Sequence, residues 1–274
     1  GSDTVVVNGV PEGYNTEAAG TYAHAEGEYT TVSGEASHAE GEHATASGTA
    51  SHSEGHYTSA VGNYSHAEGY QTAVGGNSAH AEGKGTTAAG EGSHSEGEST
   101  SALLRNSHAE GYNTTAAGLA AHAEGEGGNY DSGGTTISAG AYAQNSHVEG
   151  RKTLATSYQA HAEGDYTIAS GEASHSEGCE TKASANYAHA EGRATNATAQ
   201  CAHAEGYGTN AFGLDSHAEG YLTMATASGN YAHAEGNQTI AAAYAAHAEG
   251  TQTTASSTNA HAEGYYTYAV GASA

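Results

Sequence analysis

The sequence predicts an all-β solenoid. Three observations carry that reading: a tetrapeptide that returns every fourteen residues, a stock of side chains too small for an ordinary core, and a strict alternation of character around each copy of the tetrapeptide. His-Ala-Glu-Gly, with Ser or Val variants, begins at His24, His38, His52, His66, His80, His94, His108, His122, His147, His161, His175, His189, His203, His217, His233, His247 and His261. Every step is 14 residues except His122 to His147, which is 25, and His217 to His233, which is 16. A degenerate unit precedes them, with Val10 in the histidine position followed by Glu12 and Gly13, so about eighteen units run from residue 10 to the last residue given.

With each histidine numbered zero, position −1 is Ser or Ala in every unit, +1 is Ala or Ser except at Val148, and +3 is always Gly. Position +6 is Thr in all but Ala44 and Gly128, and +8 is usually Ala. Along a strand successive side chains face opposite ways, so −1 and +1 share one face while 0 and +2 share the other. The small pair must point inward. Thr at +6 and Ala at +8 likewise share the inner face, and the glycines at +3 and near +10 are expected at chain reversals with positive φ. Each unit is then two short strands and two tight turns. A helix is excluded by the recurrent Gly, which costs about 1 kcal/mol per residue against Ala, and by abundant Ser and Thr.

Val, Leu, Ile, Phe and Met together number only twenty of 274 residues, so an α/β enzyme interior cannot be assembled. Stacked coils with a seam of Ala, Ser and Thr can be, with stability resting on backbone ladders and on association with other chains. Collagen is excluded because Gly does not recur every third residue and Pro occurs once. The domain reading is a lead-in over 1–9, whose Gly1-Ser2 looks like a cloning scar, then one repeat domain over 10–274. An insertion loop interrupts that domain around 126–143, and two further residues enter around 221–230. The eleven-residue insertion, being a long loop on a rigid scaffold, reads equally as a recognition loop or as a tolerated bulge.

Lys and Arg number 6 against 31 Asp and Glu, a formal charge of −25, which repels nucleic acid. The longest apolar run, 240–246, is seven residues, so this segment is not expected to insert in a membrane. Cys179 and Cys201 occupy different repeat positions and define neither a disulfide framework nor a zinc site. No cofactor is called for.

Units such as Ser107-His108-Ala109-Glu110-Gly111-Tyr112-Asn113-Thr114-Thr115-Ala116-Ala117-Gly118 resemble the fourteen-residue head repeat of YadA-like trimeric autotransporter adhesins. The His-Ala-Glu-Gly flavour is also similar to repeats of phage tail-fibre proteins. The resemblance implies a left-handed parallel β-roll assembled as a homotrimeric rod and a place outside the cell, on a bacterial surface or a virion. It also implies a structural and adhesive role whose partners are the chain itself and a host receptor, matrix protein or glycan.

In a parallel stack, each histidine is followed two residues later by Glu26, Glu40, Glu54, Glu68, Glu82, Glu96, Glu110, Glu124, Glu149, Glu163, Glu177, Glu191, Glu205, Glu219, Glu235, Glu249 and Glu263, which line up as a column. Carboxylates about 5 Å apart repel by about 0.9 kcal/mol per pair even in water. Imidazole is the available relief, so the His/Glu rows are expected to form a ladder that packs and orders the trimer. Carboxylate partners are expected to raise the histidine pKa, placing the stability maximum between weakly acidic and neutral pH. Which outer face meets other protomers is open from sequence, because the variable row at +7 and +9, with Leu103, Ile168, Phe212 and Ile240, competes with the uniform one.

Other chemistries are weaker. Ser at −1 points away from the adjacent His and cannot be its nucleophile, and His-Glu-x-x-His is absent, so no catalytic residue is assigned. His and Glu two apart can ligate zinc or nickel, which leaves a metal-binding scaffold as an alternative, although no metal residue is assigned. A row of Thr leaves an ice-binding solenoid as another. His43 and His56 fall out of register and are expected to be solvated. Tyrosines at +4 and +5 form an interrupted aromatic row: Tyr70, Tyr112, Tyr207, Tyr221 and Tyr265, joined by Tyr130 and Asp131 of the insertion, make the candidate receptor surface.

Overall fold

The computed structural model describes residues 9–127, 129–131, 136–138 and 140–271, with side chains described outside 128–139. Residues 1–8 of the lead-in lie outside the described residues. The described chain is all β, without helix, and divides into two compact units, 1–141 and 142–274. Each unit is a parallel β-solenoid of nine coils, and every coil but that of His122 supplies one five-residue strand from 0 to +4 and one two-residue strand at +7 and +8, as in His24–Glu28 and Thr31–Val32.

Coils pair with a shift of one repeat. His24 lies opposite His38 and Glu26 opposite Glu40, while Thr31 lies opposite Thr45, and the same registers recur down each stack. Turns join the ladder too: His38 N donates to Ser51 O at 2.9 Å and Tyr57 N to Glu42 O at 2.9 Å. Continuous backbone pairing of this kind is what a chain so poor in large side chains has available for cohesion.

The core is a seam of small groups. Ala at +1 and +8 is buried throughout, and the largest fully buried side chains are Val32, Val74 and a series of +6 threonines. Buried hydroxyls bond locally. Ser37, Ser51 and Ser65 at −1 donate to the carbonyls of Gly34, Gly48 and Gly62 at 2.6–2.8 Å. Thr72 and Thr114 at +6 donate to the carbonyls of Glu68 and Glu110 at 2.9 and 3.1 Å. Where +1 is Ser, its hydroxyl meets the threonine instead, at 2.7–2.8 Å in Ser53–Thr58, Ser95–Thr100 and Ser176–Thr181.

The reversals differ from the sequence expectation. Gly at +3 does have positive φ, +107° to +129°, but it sits inside the long strand; a Cβ at Gly111 would lie 2.1 Å from the carbonyl oxygen of Gly125 in the next coil. The +10 glycines, such as Gly34 and Gly48, do not have positive φ and are required only because a Cβ would meet the next coil's carbonyl at 2.0 Å. The chain turns instead at −2 and +5. Both positions are left-handed in coil after coil, whether the residue is Asn113 (φ 55°), Ala36 (φ 52°) or Tyr57 (φ 56°). For a non-glycine residue this conformation costs about 1–2 kcal/mol, so the ladders on either side must over-determine it.

The two irregular steps are absorbed locally. Within the long insertion, Asn129–Asp131 and Thr136–Ser138 pair antiparallel, Tyr130 opposite Ile137. The next short strand, Gly140–Ala141, then pairs in register with Thr115–Ala116. The two residues added between His217 and His233 fall in the turn after Met224–Ala225, closed by Gly229 N donating to Thr226 O at 2.8 Å.

Candidate functional site

Because 0 and +2 face outward on the long strand, parallel register sets the imidazoles of neighbouring coils within each unit one above another. Ring centroids of neighbouring coils are 4.8 Å apart in His24–His38, 5.0 Å in His80–His94 and 4.7 Å in His175–His189, with planes 4–14° apart in these pairs. In fifteen coils the Nε2 atom stands 3.4–3.9 Å from an Oε2 of the glutamate two residues on. That is mostly longer than an N–H···O hydrogen bond. The histidine side chains are half-buried, 32–39 % exposed in all of these but the terminal His261, while their glutamates are more open.

Twelve of the Nε2 atoms, among them those of His24, His52, His108 and His217, are screened from solvent and make no hydrogen bond. An unpaired buried nitrogen costs about 1–3 kcal/mol. The electrostatics follow from the stacking. Burial first, and the imidazoles above and below second, hold His38, His108, His189 and His217 below the usual histidine range, against the upward pull of Glu40, Glu110, Glu191 and Glu205 respectively or their neighbours. Burial followed by one stacked imidazole does the same for His147 and His161. The expected upward shift is therefore corrected: a ring sandwiched within 5 Å of two others is dehydrated by them and repelled by them once charged.

Four of the six cations have described partners outside this column. Lys84 pairs with Glu98 at 2.9 Å, and Arg151 grips Asp165 through two bonds of 2.9 and 2.6 Å, both along the +4 row. Arg193 lies over the ring of Tyr207, and Lys152 donates to the hydroxyl of Tyr166 at 2.9 Å.

The tyrosine row is exposed. Tyr70, Tyr112, Tyr207, Tyr221 and Tyr265 all lie open to solvent, and Tyr207 stacks on Tyr221 at 5.3 Å. Tyr130 and Asp131 stand on the backbone of the insertion hairpin; their side chains lie outside the described residues. His43 and His56 are not simply solvated, because the stacking that aligns the column acts on these rows as well. His43 is sandwiched between Tyr29 and Tyr57 at 4.8 and 4.6 Å, with planes within 6°, and His56 stacks on Tyr70 and lies 3.4 Å from Glu42. The missed signal was positional: all three of Tyr29, His43 and Tyr57 occupy +5 in consecutive units.

Two rows lose the roles that outward presentation would have given them. The +6 threonines are buried and present no outward array to ice, and the −1 serines spend their hydroxyls on turn carbonyls inside the coil. Leu103 and Ile240 of the variable row are exposed, whereas Ile168 is buried.

Residues 25–51 and 39–65 each match the YadA head domain repeat. No curated protein matches the chain. The stretch from 25 to 65 thus carries YadA-like head repeats, and the same strands, registers and burial recur in the coils beyond it.

Proposed function

We propose that this chain is a structural and adhesive rod segment of a bacterial surface adhesin or phage-type tail fibre, working outside the cell as a homotrimer whose protomers meet along the His/Glu column. The repeat type and the solenoid fit an adhesin-like structural element rather than an enzyme. One observation carries the trimer reading: the same half-buried imidazole, its Nε2 screened and unbonded, recurs beside a carboxylate in coil after coil. A neighbouring protomer supplies partners for such nitrogens and cover for such rings, and an interface that repeats with the coil constrains every coil alike. The exposed tyrosines at +4 then remain on the outside as amphipathic, low-entropy contacts for a glycan or protein receptor.

Light scattering on the purified chain tests this reading. A mass of three chains is expected. A single-chain mass across the micromolar range would end the assembly proposal, and unaltered adhesion after replacing Tyr70, Tyr112, Tyr207 and Tyr221 by Ser would end the receptor-surface proposal.

A further inference from the structure

The His/Glu pattern of the column breaks at the first coil. In the first coil Val10 stands opposite His24, so Glu12 has no imidazole of its own and lies instead beside the histidine of the following coil, opposite Glu26. Other histidines of the column also lie between two carboxylates, as His38 does between Glu40 and Glu26, but among the described residues it is here that one ligating atom from each of Glu12, His24 and Glu26 falls within 4.8 Å of the other two. We propose that these three residues bind a divalent first-row transition metal of the zinc class.

The ligand set fits that chemistry. One imidazole nitrogen and two carboxylate oxygens suit zinc better than magnesium or calcium, which prefer oxygen alone, and they leave a fourth position for water. The histidine is held ready: its ring stacks on His38 at 4.8 Å on one side, while its Nε2 is shielded from solvent and has no hydrogen-bond partner. Both glutamates are exposed and free to close on an ion. Charge points the same way, since no Lys or Arg occurs before Lys84 and two carboxylates balance one divalent ion. Among the described residues no other coil brings three such ligating atoms within 4.8 Å of one another, so the first should bind more tightly than the rest. All three ligands come from one chain, so the site does not need a second protomer to form.

The test is calorimetric titration of zinc chloride into the chelator-stripped full chain at pH 7.5. One saturable site per chain, distinct from any weaker binding, is expected. His24→Ala should remove it, Glu12→Gln should weaken it at least ten-fold, and His108→Ala in the middle of the column should change it less than two-fold. Circular dichroism of each variant, with Glu12→Gln altering only an exposed carboxylate, separates lost ligation from lost folding. An isotherm with no saturable site, or equal effects of His24→Ala and His108→Ala, overturns the proposal.

Discussion

The two outer faces of a coil obey different rules. On the long strand, positions 0 and +2 are His and Glu in seventeen units without exception. On the short strand, +7 is Thr87, Ala73, Leu154, Lys182, Asn196, Met224 or Tyr268, and the backbone pairs in the same register each time. Coil geometry therefore does not demand a particular outward residue. The uniformity of the long face comes from what its side chains do to one another down the stack and, on the proposed reading, to a second chain.

The largest effect should come from breaking the backbone beneath the uniform face. Gly111→Ala places a Cβ 2.1 Å from the carbonyl of Gly125 at a φ of +107°, and should cost about 3 kcal/mol or more, or prevent folding. Thr115→Val on the variable face should stay within about 0.5 kcal/mol. Thermal melts of the two variants measure the contrast directly. Next in size, His108→Ala removes a ring stacked on His94 and packed at a tilt against His122, and should cost about 1–2 kcal/mol per chain while moving the light-scattering mass toward single chains. Thr115→Ala should leave the mass unchanged; equal behaviour of the two would erase the distinction between the faces.

Acid should act on the long face alone. Six imidazoles titrate below their unfolded value of about 6.5, so below that pH the unfolded chain binds protons that the folded one refuses. Their contribution is complete above about pH 6.5 and is lost as pH falls through the window down to the folded values. Melting temperature should accordingly be level from pH 8 to 7 and decline toward pH 5. A constant value over that range would show that the glutamates, not burial, govern the rings. The smallest effect lies inside the coil. Thr195 has a buried hydroxyl with no partner, whereas Thr181 has Ser176, so Ala190→Ser should stabilise by about 0.5–1 kcal/mol in denaturant titration.

Period, strand positions and inward face were legible in the sequence because the repeat displays them seventeen times over. Alternation around His and Glu sufficed to place Ala25 inside and His24 outside, and both stand there. The turns were not legible by the same route, since residues as different as Tyr22, Ala36 and Asp215 share the left-handed position at −2; the clue was the scatter of Asn106, Asn259 and Gly92 among them. Nor was the direction of the histidine shift, because composition shows the carboxylates but not how closely one ring covers the next. The triad of Glu12, His24 and Glu26 was visible only once the register set Glu12 opposite Glu26.

The hairpin between His122–Glu126 and Gly140–Ala141 leaves the following short strand aligned with Thr115–Ala116. A corner of the spiral thus tolerates an excursion without shifting the short strand that follows it. Such an architecture separates ornament from chassis: lineages built on it can diversify by exchanging protrusions one turn at a time, and a foreign epitope spliced at the same corner should be displayed without rebuilding the scaffold.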